Sequence, residues 1–311
     1  MVRPWVPYAS IAAGVLLWST IEVAAKPITG AVPAGGIVVF RFVLGGLVVL
    51  PLGMRQARLG GLRISWRFLS ACALLGFVGV FCSIGLFHKA LQYEEAGTAA
   101  ALFCSHPIWV AALAPLILKE AVGRWTFLGA FLGLAGVVTL SVGQIEAVPG
   151  AWLGVLMTVL SGLLFALYTV LLKRFHYARA TILAFALSAV FGGVMMLPPV
   201  LLTTGAPEFL AALRSHAPTL LYLALVTTGA GYLLYFWGIT HVSATSGSPF
   251  MYLKPVVAAA LAKVLLGEPL RASLLVGVAF IVVGIALAVV GGPALPPGRE
   301  VPTALDAVPF D

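Results

Sequence analysis

The chain is dominated by long apolar runs, each close to 20 residues, separated by short stretches that hold most of the charged residues. The hydrocarbon core of a bilayer is about 30 Å thick, and a helix needs about 20 mainly apolar residues to cross it. Charged residues make up 9% of the chain, against about 25% in soluble domains. We therefore predict an all-α membrane protein with ten transmembrane helices, at residues 8–28, 35–52, 68–90, 96–118, 124–143, 150–172, 181–202, 217–238, 244–266 and 272–291.

The basic residues between these runs predict how the chain lies in the membrane. If the N-terminus is cytoplasmic, eleven Lys and Arg residues fall on the cytoplasmic side and four on the other. Such an excess marks the cytoplasmic side of membrane proteins. We expect a multi-pass protein of the bacterial inner (cell) membrane with both termini cytoplasmic. The proline-rich residues 292–311 are predicted to form a disordered cytoplasmic tail. Because the net charge of +8 lies mostly in membrane-flanking loops, it does not indicate nucleic-acid binding.

The second half of the chain repeats landmarks of the first half in the same order. A shift of 147 or 148 residues superimposes seven of them: Lys26 on Lys173, Gly45-Gly46 on Gly192-Gly193, Pro51 on Pro198, Pro107 on Pro255, Glu120 on Glu268, Gly129 on Gly277 and Gly136 on Gly284. Five helices in each half require the second half to enter the membrane upside down. We therefore predict two inverted five-helix repeats, 8–143 and 150–291, a plan that is common among secondary transporters.

Lys254 lies in the middle of the ninth predicted helix, directly before Pro255. The repeat places His106, directly before Pro107, at the equivalent position of the fourth helix. In an inverted repeat, paired mid-helix positions meet near the midplane, where transporters of this design bind their substrates. A lysine at the bilayer centre costs about 2.5–3.5 kcal/mol on insertion scales. Lys254 should therefore have either a partner or a function.

Pro107 and Pro255 are expected to kink their helices, because proline has no N–H to donate to the carbonyl four residues earlier. A carbonyl freed in this way inside a membrane needs another protein group or cavity water. A kink beside Lys254 or His106 therefore predicts the wall of a polar cavity. The alternative for both side chains is structural, namely an ion pair or a hydrogen bond that fixes helix packing.

Glu22 is the acidic residue of the first predicted helix and could hold an ammonium group or carry a coupling proton. Lys26 follows four residues later, so a local ion pair is an equal alternative. Arg41 is expected either to anchor the structure or to pair with Glu22. Glu120 and Glu268 are expected to cap the turns after the fourth and ninth helices.

Aromatic side chains on the predicted helices offer surfaces for the apolar part of a ligand, and the candidates are Trp18, Tyr168, Tyr232 and Tyr252. Gly129 and Gly133 form a G-x-x-x-G pair, which permits close packing within the bundle or between protomers and leaves a homodimer open. The sequence contains no nucleotide-binding, metal-binding or catalytic motif. We therefore expect no enzyme activity, no cofactor and no metal.

Four segments, in order, resemble the EamA-type members of the drug/metabolite transporter superfamily: LLWSTIEVAAKP, RFVLGGLVVLPLG, AGTAAALFCSHPIWVAALAPLILKE and SATSGSPFMYLKPVVAAALAKVLLGEP. The resemblance covers about residues 8–291. It implies ten helices in two inverted repeats and alternating access without ATP. It also implies a central cavity lined by helices one, three, four, six, eight and nine. Carried over by position, these helices contain Glu22, His106 and Lys254.

These features predict a secondary transporter of small organic metabolites, with export of amino acids or similar amphipathic compounds as the first expectation. Lys254 would meet a carboxylate or another anionic group, and Glu22 would meet an ammonium group or carry a proton or another coupling ion. A drug or organic-cation exporter of the same fold, with Glu22 as its central site, is the alternative. A membrane protein that transports nothing, such as a sensor or an assembly subunit, is the third candidate.

Overall fold

The computed structural model describes residues 3–62, 64–93, 96–120, 122–141, 151–175, 180–267 and 273–290. The predictions for Glu268 and for the tail at 292–311 lie outside these ranges. Within them the regular structure is helical, apart from one isolated bridge between Thr29 and Val32. Seven stretches of the described chain are long and apolar enough to cross a membrane: Trp5–Ile28, Ala34–Leu59, Trp66–Ala90, Trp152–Arg174, Thr181–Thr204, Ala217–Thr240 and Ala244–Leu265. The protein is therefore an all-α, multi-pass membrane protein.

The first of these stretches is broken in its middle. Helix α1 (Trp5–Trp18) ends before Ser19 and Thr20, and α2 (Ile21–Ala25) begins after them. The hydroxyl groups of Ser19 and Thr20 donate hydrogen bonds to the Val15 and Leu17 carbonyls, near the end of α1. The break places Glu22 in the first turn of a new helix.

The second stretch is one long helix, α3 (Ala34–Leu59). The third consists of α4 (Trp66–Gly76), a π-helical segment at Phe77–Ile84, and α5 (Gly85–Ala90). Such wide turns are rare and frequently mark functional sites. Nothing in the apolar pattern of this stretch predicts the π segment.

The next apolar stretch is divided into α6 (Ala96–Phe103) and α7 (His106–Leu118), and α8 (Arg124–Ser141) follows. Pro107 lies in the first turn of α7. Proline is tolerated there because the missing N–H would have no helical acceptor in any case. Pro107 therefore starts a helix after a break, instead of bending a continuous one.

The second half of the chain begins with α9 (Ala151–Arg174), α10 (Thr181–Met195) and α11 (Leu197–Thr204). A further helix, α12 (Ala206–Ser215), occupies a region that the sequence predicts as a loop, and only its Phe209 is buried. The next membrane stretch contains α13 (Ala217–Tyr222), a second π-helical segment and α14 (Gly231–Thr240). This π segment, Leu223–Ala230, starts 146 residues after the first.

The last described helices are α15 (Ala244–Gly247), α16 (Leu253–Leu266) and α17 (Ser273–Val290), with a 3₁₀ segment at Ser248–Tyr252 between the first two. Pro255 lies in the first turn of α16. The ninth predicted helix therefore changes from a 3₁₀ helix to an α-helix immediately before Lys254. The first and fourth predicted helices are interrupted shortly before Glu22 and His106.

The small residues of α8 serve packing within the chain. A Cβ atom added at Gly129 would lie 2.5 Å from the carbonyl oxygen of Gly284, which is in α17. At Gly133 it would collide with the ring of Tyr252. Both glycines are therefore required for the close approach of α8 to its neighbours.

Candidate functional site

Glu22 of α2 and Lys254 of α16 form an ion pair deep in the bundle. Their side chains are 0% and 3% exposed, so the pair is shielded from solvent. Glu22 does not pair with Lys26, whose ammonium group donates to the Leu91 carbonyl at 3.0 Å. The structure therefore joins two distant candidate residues instead of forming the local pair that the spacing also allowed.

Two aromatic rings flank the ammonium group of Lys254. Its Nζ atom lies 4.9 Å from the ring centroid of Phe87 and 4.7 Å from that of Phe103. A desolvated cation–π interaction stabilises the cation by about 2 kcal/mol. Glu22 Oε2, in contrast, has no hydrogen-bond partner among the described residues. The cation is therefore stabilised by three neighbours, while the carboxylate keeps one oxygen that could accept a hydrogen bond from a ligand.

A hydrogen bond holds the backbone just before Lys254. Its donor lies in the break between α6 and α7, within the fourth predicted helix. Cys104, between α6 and α7, donates its thiol to the Met251 carbonyl over 3.0 Å. Pro255 cannot supply the usual helical N–H for that carbonyl. A protein group thus satisfies the acceptor, and the contact fixes the position of the break relative to Lys254.

His106 begins α7 and packs against α9. Its Nε2 atom lies 3.3 Å from Thr169 Oγ1, and this hydroxyl donates to the Phe165 carbonyl at 2.9 Å. Because a hydroxyl has a single proton, Nε2 is the donor toward Thr169. Nδ1 then carries the lone pair of the neutral ring, and it has no partner in the described chain. His106 is buried but does not join the Glu22–Lys254 pair.

The four predicted aromatic residues have different surroundings. Trp18 donates its indole N–H to the Thr227 carbonyl at 3.0 Å, and its ring centroid lies 4.6 Å from that of Tyr232. Tyr168 instead shares a hydrogen bond of 2.8 Å with Ser188 Oγ. Tyr252 donates to the Ala130 carbonyl at 2.6 Å. Trp18 and Tyr232 thus pack together, whereas the hydroxyl groups of the other two tyrosines tie helices to one another.

A second buried polar cluster lies on α3, α5 and the second π segment. The side chain of Arg41 donates from Nη1 to His88 Nε2 at 2.7 Å and from Nε to Thr228 Oγ1 at 3.2 Å. No ion pair joins Arg41 to Glu22 among the described residues, so this alternative was wrong. Arg41 instead anchors three helical segments to one another.

A second ion pair joins Glu120, two residues after the end of α7, to Lys173 of α9. The other carboxylate oxygen of Glu120 accepts from the Ala244 N–H at 2.8 Å, and Lys173 also donates to the Val242 carbonyl at 2.6 Å. The prediction that Glu120 caps the turn into the following helix was wrong. The carboxylate instead caps the start of α15, which is far away in the sequence.

Residues 5–142 and 152–290 each match the EamA-like transporter family. The chain belongs to the EamA-like transporter family. The resemblance seen in the sequence, to EamA-type members of the drug/metabolite transporter superfamily, is confirmed.

Relatives of this EamA-family protein are known in bacteria. An uncharacterized transporter of Clostridium kluyveri is 28% identical over 89% of this chain and 91% of its own length. A probable terminal-alkyne amino-acid exporter of Streptantibioticus cattleyicolor is also 28% identical, over 76% of each chain. One solved crystal structure superposes with a TM-score of 0.70 over 91% of this chain and 96% of its own, at 21% identity. That likeness shows a shared fold.

Proposed function

We propose that this protein is a secondary transporter that exports amino acids or similar amphipathic compounds by alternating access around Glu22 and Lys254. The buried ion pair carries the proposal. A zwitterionic ligand brings one cationic and one anionic group. Its carboxylate can take the place of Glu22 beside Lys254, while its ammonium group meets Glu22. Every buried charge then remains compensated, which is essential because an unpaired buried charge costs several kcal/mol.

Two further observations support an amphipathic substrate. Phe87 and Phe103 lie beside the ammonium group of Lys254, and Trp18 and Tyr232 pack together near the break that precedes Glu22. Charged groups next to aromatic surface suit a ligand with a polar head and an apolar body. The relative named as a probable amino-acid exporter favours the same class of compound.

The proposed mechanism rests on ten helices arranged as two inverted repeats, 8–143 and 150–291. The two π segments support the repeat, because they occupy equivalent positions 146 residues apart. The helix break before His106 and the change of helical form before Lys254 also support it, because these two positions are equivalent in the proposed repeat. Discontinuous helices of this kind form the midplane sites of transporters with inverted repeats.

The contact of Glu120 with Lys173 and Ala244 supports alternating access. It joins the proposed first repeat to the second at one end of the bundle. In the proposed topology, with both termini cytoplasmic, that end faces the cytoplasm. Opening the cytoplasmic side of the site requires these bonds to break, so they are part of the gate.

A ligand screen tests the proposal. The purified protein is heated with amino acids, nucleosides, polyamines and cationic drugs, since a ligand that binds only the folded state raises the unfolding temperature. We expect stabilisation by zwitterionic amino acids, and we expect Lys254→Met and Glu22→Gln to abolish it. The matched controls are Lys263→Met and Glu208→Gln, whose original side chains are exposed.

Stabilisation by cationic drugs alone, lost in Glu22→Gln and kept in Lys254→Met, would replace the proposal with the organic-cation exporter. Stabilisation by amino acids that persists in both variants would show that the ligand binds elsewhere.

A further inference from the structure

Arg41 is a buried cation without a carboxylate partner among the described residues. Its side chain is 1% exposed, and the ion pairs of the described chain are Glu120–Lys173 and Glu22–Lys254. The neighbours that accept from Arg41 are the His88 ring and the threonine hydroxyls of the second π segment. None of these groups carries a negative charge. The Phe42 ring lies 5.3 Å from the guanidinium carbon. The Glu22 carboxylate, which is already paired with Lys254, acts on Arg41 only from beyond ion-pair distance.

The hydrogen bonds fix which nitrogen of His88 carries the proton. A guanidinium group has donors only, so His88 Nε2 must accept the bond from Arg41. The proton of the neutral ring is therefore on Nδ1. His88 is 1% exposed, and Nδ1 has no hydrogen-bond partner in the part of the chain that the structure describes. An unpartnered N–H donor thus lies beside a cation that has no carboxylate partner of its own among the described residues.

The hydroxyl groups next to Arg41 cannot serve as further donors. Thr227 and Thr228 both donate to the Leu223 carbonyl, at 2.7 and 2.9 Å. The wide π turn allows two successive residues to reach the same carbonyl. Only the lone pairs of these hydroxyls remain, and they face Arg41. The cluster therefore holds spare donors on Arg41 and His88.

This cluster adjoins the Glu22–Lys254 pair. The Phe87 ring, which lies beside Lys254 Nζ, is 5.7 Å from the ring of His88. Glu22 and Lys254 cancel one another, so the two clusters together carry one net positive charge from Arg41. In a low-dielectric interior a net buried charge is unfavourable, and a ligand with one additional negative charge removes that cost.

We propose that Arg41 and His88 form a second anion subsite, so that the transported substrate has one ammonium group and two acidic groups, as an acidic amino acid does. The inference rests on the proposed function, in which Lys254 and Glu22 bind the α-carboxylate and the α-ammonium. Arg41 and the Nδ1–H of His88 then donate to the second acidic group.

Two pairs of amino acids test the subsite, because each pair differs by one charge at nearly constant size. Binding to the purified protein is measured for L-glutamate against L-glutamine, and for L-aspartate against L-asparagine. Hydrogen bonds to a charged group contribute about 1.5–3 kcal/mol, so the wild type should prefer one of the acids over its amide by about tenfold or more. Arg41→Gln should remove this preference. Arg55→Gln, at an exposed arginine of the same helix, should keep it.

Equal affinity of the wild type for acid and amide would overturn the subsite while the Glu22–Lys254 proposal stands. This comparison needs no variant, so it decides the matter even if Arg41→Gln does not fold. Failure of the wild type to bind either pair would also overturn the subsite. Binding of the amides that survives Lys254→Met would instead contradict the proposed function, and the two failures are therefore distinguishable.

Discussion

Replacing Lys254 by methionine should destabilise the protein strongly, because the change leaves the Glu22 carboxylate buried without a counter-ion. The side chains of this pair are 3% and 0% exposed, so solvent does not replace the lost partner. Removing one member of a buried ion pair costs about 3–5 kcal/mol. Methionine has a similar length and an apolar chain that can still pack against Phe87 and Phe103. The expected loss of stability therefore comes mainly from the Glu22 carboxylate, which is left buried without a counter-ion.

The double variant Glu22→Gln/Lys254→Met should recover most of this loss. It removes both charges, and replacing a buried ion pair by neutral groups is often nearly neutral for stability. The double-mutant cycle should consequently give a coupling energy of about 3 kcal/mol, at the upper end of the range for residues in direct contact. Lys263→Met, at an exposed position of α16, should change stability by less than about 0.5 kcal/mol.

The assay is thermal unfolding in one detergent, followed by tryptophan fluorescence. It compares the wild type with four variants: Glu22→Gln, Lys254→Met, the double variant and Lys263→Met. At about 2 °C per kcal/mol for a chain of this size, Lys254→Met should lower the unfolding temperature by roughly 6–10 °C. A Lys254→Met variant as stable as Lys263→Met would refute the argument. Strictly additive losses in the double variant would refute it equally, since they would show that the two charges do not interact.

Three further changes have defined outcomes. Glu120→Gln should lower the free energy of unfolding by about 3 kcal/mol in the same assay, because it strands the buried Lys173; an unchanged midpoint would contradict the buried pair. Tyr252→Phe should lower it by about 1 kcal/mol through loss of the hydrogen bond to Ala130, and a changed substrate affinity in a transport assay would argue against this structural role. Gly129→Val should destabilise by about 1–3 kcal/mol, because α17 leaves no room for a side chain there; a stable variant would argue against this packing.

The class of the protein and its candidate charges could be predicted from the sequence because both signals are local. An apolar run near the length of a bilayer identifies a membrane helix without reference to its neighbours. A charge inside such a run stands out for the same reason, which is how Glu22 and Lys254 were found. Their pairing could not be predicted, because spacing along one helix favoured Lys26 as strongly. Only the packing of α2 against α16 decides between the two partners.

The other parts of the site were missed because they carry no local signal. Phe87 and Phe103 are ordinary residues of apolar runs until packing brings their rings to Lys254. His88 lies next to Lys89 near the end of a predicted helix, where a basic residue usually meets the membrane surface. The π segments depend on one additional residue in a turn, which leaves the apolar pattern unchanged. Glu120 was assigned to a nearby turn because its true partner, α15, follows more than a hundred residues later.

Exchange of labelled amino acids by proteoliposomes that contain the wild type, Lys254→Met or Lys263→Met tests directly whether the Glu22–Lys254 pair binds the substrate. Vesicles are loaded with an unlabelled amino acid that stabilises the protein, and uptake of the same labelled compound is followed without ATP. We expect saturable exchange by the wild type and by Lys263→Met, and none by Lys254→Met incorporated in equal amount. Equal exchange by all three proteins would contradict the claim that the Glu22–Lys254 pair is the substrate site.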